Sequence, residues 1–456
     1  MPTRHVICCD GTWNKPDTDG NDIDDNTNVV KFRDSVVEGE VGEGWRQHVE
    51  YVYGVGTREE HKPDGALVAR LRTTLGERTD GILGKVEGGT GLGVSSRIVQ
   101  GYQYLCEHYQ EGDEIYIVGF SRGAFTACSL AGMICRLGIV QGIKRAEAWV
   151  LYSTYLEHKH EPGELARVRA HLFAGHRHVN AAVDFLGVWD VVGSLGAAGG
   201  IGRLLEHVWG IDPTNTLERL HETDLHPKIK RAYHALALHE YRIDFKPTLW
   251  QSQPSDGQEV QQAWFAGAHS NVGGGYQHKL SAIPLAWLMA RAAAAGLVFQ
   301  EGKVPVIEAA HYEEDAYDSY TEFMSKFDLS SLLKKAVADG REKLLPAGAK
   351  EFLSKWESWA SAAAGHVVER VKSSRIGGFL DDLLPDPPKP QAPDVKTLFP
   401  LYYRQLGELK NGTEYLHASV KTWLETVPAS GGTGPRVART LNPEHRKVDG
   451  LPVLRG

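Results

Sequence analysis

Glu114-Ile115-Tyr116-Ile117-Val118 is an apolar, β-branched run that reads as a buried strand. The chain passes straight from it through Gly119-Phe120-Ser121-Arg122-Gly123, and the small and apolar residues from Ala124 to Leu137 predict a buried helix. A strand, a tight G-x-S-x-G turn and a helix together form the setting of a nucleophile elbow, and that setting constrains the fold. A strand that hands over to a helix at its carboxyl end is half of a βα unit, so the sequence predicts an α/β fold with a mostly parallel sheet flanked by helices. The two glycines let the turn close tightly. Ser121 then projects from the carboxyl end of the strand, and the amide of Arg122, at the helix start, faces a developing oxyanion.

Other strands should end at the same edge. His5 to Cys9 is a short apolar strand running into Asp10-Gly11-Thr12-Trp13-Asn14, a turn rich in backbone-bonding residues. Free amides at such an edge meet ligands. The amide of Gly11 or Thr12 is therefore a candidate second oxyanion donor, against the plainer reading of a βα turn in which Asp10 satisfies the amides. Val49 to Val55 reads as a second strand and Val183 to Asp190 as a third, with Asp190 at its carboxyl end. Ile229 to His239 is rich in alanine and predicts a helix. Val260 to Phe265 is a further strand, which places His269 at a corner beside Gly273-Gly274-Gly275. Arg145 to His171 and Leu280 to Leu297 predict helices, as does Val94 to His108.

Composition narrows the function classes. The chain has 456 residues, 24% of them charged, with a net charge of −8, so no global basic field invites nucleic acid. The start Met1-Pro2-Thr3-Arg4-His5 lacks the apolar core of a secretory signal, and no apolar run approaches the ~20 residues of a spanning helix. The expectation is a chain made in the cytosol. The five cysteines lie in apolar segments and read as small buried thiols. Gly88 to Gly93 follows no clear strand and lacks the closing Gly-Lys-Ser/Thr of a phosphate loop. The acidic stretch Asp17 to Asn28 lacks an EF-hand's flanking helices, and the pairs His158/His160 and His176/His178 have no matching carboxylate pattern. No cofactor and no metal site is predicted.

The order Ser121, Asp190, His269 places one candidate of each type at the carboxyl end of a different strand. His269 would take the proton of Ser121, and Asp190 would fix the imidazole tautomer. His417, late in the chain, competes with His269 for the role of base.

Four segments together resemble one family: Asp10-Gly11-Thr12-Trp13-Asn14, Gly119-Phe120-Ser121-Arg122-Gly123-Ala124, Gly187-Val188-Trp189-Asp190-Val191-Val192-Gly193 and His269-Ser270-Asn271-Val272-Gly273-Gly274-Gly275-Tyr276. It is the family of uncharacterised α/β-hydrolase domains that includes the type VI secretion phospholipase effectors. The likeness covers roughly residues 4–298, with an echo at His417-Ala418-Ser419-Val420. It implies an α/β-hydrolase-like sheet, a serine acyl-ester hydrolase acting on phospholipid, delivery into a rival cell by a secretion machine without a signal peptide, and an immunity or secretion-machine partner. His239 and Asn271 depart from the pattern, since an acid is common at each place.

The expected organisation is a hydrolase core over residues 1–298, a helical insertion or cap over 299–395, and a C-terminal segment over 396–456 that packs back on the core. The insertion carries two amphipathic runs, Leu329 to Leu345 and Lys350 to Val371, with Trp356 and Trp359 opposite Lys and Arg. Such helices either lie on a membrane surface, here through 329–371, or cover the core. A soluble or polymeric ester as substrate, and a catalytically silent binding module, are the alternatives that the sequence leaves open.

Overall fold

The computed structural model describes residues 1–11, 14, 16, 25–55, 57, 92–192, 224–242, 245–275, 278–319, 404, 409, 411–425 and 453–454. Thr12, the glycine stretch at 88–91, the loop at 193–202, Tyr276 and the amphipathic runs at 329–345 and 350–371 lie outside them. The chain divides into two units. One comprises Met1–Ser194, Pro213–Ser319 and Tyr402–Gly456; the other, Leu195–Asp212 with Tyr320–Leu401, lies outside the described residues.

The strands of the first unit are β1 (Thr3–Cys9), β2 (Gly39–Val41), β3 (Trp45–Val52), β4 (Glu114–Phe120), β5 (Ile139–Val140), β6 (His178–Val179), β7 (Phe185–Trp189), β8 (Arg231–Ala237), β9 (Glu259–Phe265), β10 (Glu414–His417) and β11 (Val453–Leu454). Nine of them form one sheet in the order β11-β10-β9-β8-β7-β4-β1-β3-β2. Every pairing in it is parallel except that of β2 with β3. From β1 the chain departs to β3 on one side and later to β4 on the other. The strand order therefore reverses between β1 and β4, where open α/β sheets present a crevice at their carboxyl ends.

The central strands are buried on both faces and their side chains alternate. Val6, Cys8, Tyr116, Val118 and Phe120 join the same apolar cluster as Trp287 and Leu288 of helix Ala282–Ala294. On the opposite face lie Leu92–His108 and Arg122–Leu137. Gly101 of the first brings Leu130 of the second and Ile7 of β1 together: a Cβ there would lie 2.6 Å from the Leu130 side chain and 3.6 Å from that of Ile7. All five cysteines are free and buried.

Three readings of the sequence need correction. The segment read as a helix from Ile229 to His239 contains the central strand β8. Its alanines favour a helix only where the chain is free to choose. Between β7 and β9 both faces are covered, and small side chains suit a strand wedged between two layers. The run from Arg145 to His171 is two helices, Arg145–His158 and Pro162–Leu172, because Pro162 opens a new helix at its first turn. The second strand also begins earlier than expected, at Trp45, and ends at Val52.

Candidate active site

The parallel register aligns the carboxyl ends. Cys9 pairs with Gly119, Phe120 with Trp189, and Trp189 with Ala235. The ladder continues one residue past the strands: Ser121 N–H donates to Trp189 O at 3.1 Å, and Asp190 N–H donates to Ala235 O at 2.8 Å. Ser121 and Asp190 thus begin their turns side by side.

Both turns are strained. Ser121 has φ 58° and ψ −123°, and Asp190 has φ 43°. A side chain in this region costs on the order of 1–3 kcal/mol and persists only where the surroundings impose it. At Ser121 two glycines impose it. A Cβ on Gly119 would lie 2.5 Å from Gly123 O, and one on Gly123 would lie 2.3 Å from Cys9 O and 2.4 Å from Asp10 O. The chain therefore folds back on itself and presses the start of its helix, here α1 (Arg122–Leu137), onto the end of β1. Ser121 makes no side-chain cap bond to that helix. The first amides of α1, beginning with Arg122 N–H, are ones that no helical carbonyl can reach. Burial pulls the Arg122 guanidinium down to about 10, and no carboxylate pairs with it among the described residues.

His269 opens a short helix, α2 (His269–Gly273), directly after β9. Its Nδ1 lies 2.6 Å from Asp190 Oδ2. The ring packs between Phe120 at 4.6 Å and Phe245 at 4.9 Å between centroids. Since Phe120 directly precedes Ser121, the imidazole stands beside the elbow. Its main-chain N–H points to Glu240 Oε2 at 3.3 Å. Burial holds the imidazole pKa below its ordinary value, against the pull of Asp190.

Asp190 is completely buried, and burial alone would raise its pKa. The Arg404 guanidinium and the His269 hydrogen bond outweigh that and hold the carboxyl well below the usual carboxylate range. An ionised carboxylate only accepts, so His269 Nδ1 is the donor and Nε2 keeps its lone pair. Ala237 N–H also donates to Asp190 Oδ1 at 3.0 Å.

His417 is placed differently. Its Nδ1 lies 2.8 Å from Ser419 Oγ, its ring stacks on Phe265 at 4.4 Å, and burial lowers its pKa to about 4. It has no bond to Asp190 among the described residues. Gly11 also departs from its expected part. Its N–H donates to Asp10 Oδ1 at 2.7 Å, and Thr27 and Tyr51 hydroxyls donate to the same buried carboxylate. The plainer turn reading therefore holds for Gly11, while Thr12 lies outside the described residues. At the two departures from the family pattern, His239 Nδ1 accepts from Gly267 N–H at 3.0 Å, and Asn271 Oδ1 accepts from Ala268 and Tyr317 N–H at 3.0 and 2.9 Å. Both serve the backbone of the corner that presents His269.

Two charged residues beside the site carried no sequence signal. Glu240, fully buried, is held down to about 2 by Arg242, against its own burial. Arg404 reaches Asp190 from 214 positions away in the chain. Neither lies in a motif, and a partner so remote cannot be found by spacing. Among the described residues no group of His, Cys, Asp and Glu could hold a metal ion, and no helix is long and apolar enough to cross a membrane. His176 and His178 instead bond to the main-chain oxygens of Gln141 and Phe173.

Residues 3–291 match the sequence family described as T6SS, phospholipase effector Tle1-like, catalytic domain. An uncharacterized protein of Saccharomyces cerevisiae is 29% identical over 177 residues, which are 37% of this chain and 24% of the yeast protein. A crystal structure of an uncharacterized protein from Pseudomonas aeruginosa shows 18% identity and a TM-score of 0.34, over 85% of this chain and 56% of the other. The structure of a Tle1 effector bound to the VgrG spike of the type 6 secretion system shows 17% identity and a TM-score of 0.28, over 61% and 52%. The chain spans about a quarter of the yeast relative and about half of each solved chain.

Proposed function

Since the chain belongs to the Tle1-like family of phospholipase effector catalytic domains of type VI secretion, we propose that it is a serine acyl-ester hydrolase that cleaves phospholipid through Ser121, His269 and Asp190. The observation that carries this reading is the strained Ser121 at φ 58°, held at the carboxyl edge beside an imidazole that is bonded to a buried carboxylate.

In this mechanism Ser121 Oγ attacks the acyl carbonyl carbon while His269 Nε2 takes the hydroxyl proton. Asp190 holds the ring through Nδ1 and stabilises the imidazolium. The oxyanion accepts from Arg122 N–H. With Gly11 N–H committed to Asp10, the second donor falls to Thr12. One such donor is worth about 3 kcal/mol. The imidazolium then returns its proton to the departing alcohol oxygen as the C–O bond breaks, leaving an acyl-serine. Water, deprotonated by the same Nε2, releases the fatty acid. The Arg122 guanidinium, one residue from the nucleophile and without a carboxylate partner among the described residues, favours an anionic substrate such as a phospholipid over a neutral ester.

Delivery to a target cell, lipid contact through 329–371, and an immunity or secretion-machine partner belong to the same reading. The domain boundaries at 298 and 395 are proposed with it. The test compares phospholipid vesicles with a short soluble ester, using the native chain and Ser121→Ala. Loss of the nucleophile should lower turnover on the order of 10⁶-fold. Equal turnover by both proteins on either ester would remove the elbow from the mechanism. Cleavage of the short ester alone would keep the enzyme class and remove the lipid.

A further inference from the structure

Asp190 and Arg404 are both at 0% exposure. Arg404 Nη1 lies 2.5 Å from Asp190 Oδ1, and Nη2 lies 2.9 Å from Oδ2. The same two nitrogens donate to Ala237 O at 2.7 Å and to Phe245 O at 2.6 Å. A planar guanidinium matches the two oxygens of a carboxylate in a way an ammonium cannot. The carbonyls fix that plane independently of Asp190. Ala237 ends β8, and Phe245 carries the ring that packs edge-on to His269.

We propose that Arg404 is a positioning residue of the active site, whose guanidinium bridges both oxygens of Asp190 and so sets the direction and charge of the carboxylate that holds His269. Oδ2 is shared between His269 Nδ1 and Arg404 Nη2, and Oδ1 between Ala237 N–H and Arg404 Nη1. With a donor on each side, neither oxygen can swing away from its place. Among the described groups bonded to Asp190, Arg404 alone carries a permanent charge. Its charge offsets the cost of burying the ionised carboxylate.

The second consequence falls on the base. Asp190 attracts a proton to His269, and the guanidinium opposes that attraction by cancelling much of the carboxylate's charge. Among the described residues the other charged groups facing the ring, Glu240 and Arg242, are paired with each other, Arg242 Nε to Glu240 Oε1 at 2.8 Å and Nη2 to Oε2 at 2.9 Å. His234, behind Asp190, is kept neutral by burial with its pKa lowered to about 4, and its Nε2 accepts from Val191 N–H at 3.0 Å. Besides burial, then, the affinity of His269 for its proton depends on Asp190, whose charge Arg404 offsets. Without Arg404 the uncompensated carboxylate would hold the imidazole in its charged form to higher pH.

Arg404 also lies beyond residue 291, where the family match ends. The three candidate triad residues fall inside the match, and the counter-ion of the acid is supplied by the segment Tyr402–Gly456 of the same unit. The site is complete only when that segment has returned to the sheet.

The test uses the full chain, with Arg404→Gln and Arg404→Lys. It reads the His269 ring titration by histidine-resolved NMR, assigned with His269→Gln, and the pH profile of kcat/KM on phospholipid vesicles. Arg404→Gln should raise the His269 pKa by about one unit. It should move the acid limb of the profile upward by the same amount and lower kcat by about 10²-fold, with KM little changed. Arg404→Lys should restore most of the titration and only part of kcat, because a point charge cannot span both oxygens. A folded Arg404→Gln whose His269 titrates as in the native chain, or lower, overturns the proposal. If Arg404→Gln does not fold, Arg404→Lys with native kcat and native titration overturns it. The catalytic arm rests on the hydrolase reading. Should the native chain cleave no ester, that reading fails by itself, and the NMR titration still decides the part played by Arg404.

Discussion

The two edges of the sheet are built on opposite terms. At the carboxyl edge, Ser121 and Asp190 are held at positive φ, and three charged side chains, Asp190, Glu240 and Arg404, are wholly buried. At the amino edge of β1 and β3, the one side-chain-bearing residue with positive φ among the described residues is Glu43, in the exposed turn just before β3. Polar groups are buried there too, but as a relaxed network. Tyr104 Oη lies 2.9 Å from His5 Nδ1 and 2.8 Å from His48 Nδ1, and His5 Nε2 lies 3.0 Å from Asp113 Oδ2. Asp113 Oδ1 also takes Thr3 N–H at 2.7 Å. The contrast teaches that burial of polar groups alone does not mark a site. Strain and wholly buried charged side chains together do, because both raise the energy of the folded state and persist where function retains them.

That contrast can be broken most sharply at Asp190. Asp190→Asn keeps the shape and removes the charge, so His269 loses its tautomer and Arg404 its counter-ion. Turnover should fall by about 10⁴-fold. A loss under tenfold on vesicles would place the acid elsewhere.

Gly123→Ala probes the strain next. The new Cβ would lie 2.3 Å from Cys9 O and 2.4 Å from Asp10 O, both backbone atoms that cannot move aside cheaply. Destabilisation of about 1–3 kcal/mol is expected in denaturant unfolding, together with lost turnover as the elbow shifts off β1. Native stability and native turnover would show that the close approach is not needed.

The smallest effect belongs to the opposite edge. His5→Gln should cost about 1–2 kcal/mol through its lost bonds and leave kcat within about twofold. The pH dependence sharpens the test. Burial lowers the folded-state pKa of His5, against the pull of Asp113. The unfolded chain therefore binds the proton more readily, and this contribution to stability is present above pH about 6.5 and is lost as pH falls toward the folded pKa. Unfolding of His5→Gln should lack that part of the acid dependence. A kcat that fell with it would end the separation of the two edges.

Much of the fold was legible because it is written in local runs. The β-branched stretch before Gly119 gave β4, and its neighbours β1 and β7, with β9 further along the sheet, were read from the same kind of pattern. β8 was not, because Ala232, Ala235 and Ala237 speak for a helix until two strands enclose them. In the site, Ser121, Asp190 and His269 stood out because each follows a strong strand. Gly11 was left between two readings, since the acceptor for its N–H is the side chain of the residue before it, and only coordinates show which way that carboxylate turns. His417 and His269 were equivalent by position in the chain; the partner of each ring separates them, Ser419 for one and Asp190 for the other.

The amino-acid sequence by itself determined the parallel sheet, the elbow and the order of the candidate triad. Apolar periodicity and glycine placement act over a few residues and need no knowledge of what lies across the sheet. Tertiary structure alone decided the counter-ion of Asp190, the partner of each late histidine and the use of an alanine-rich segment as a strand. Those choices join residues as far apart as Asp190 and Arg404, and their energies depend on burial and on direction, which exist only once the chain has closed around them.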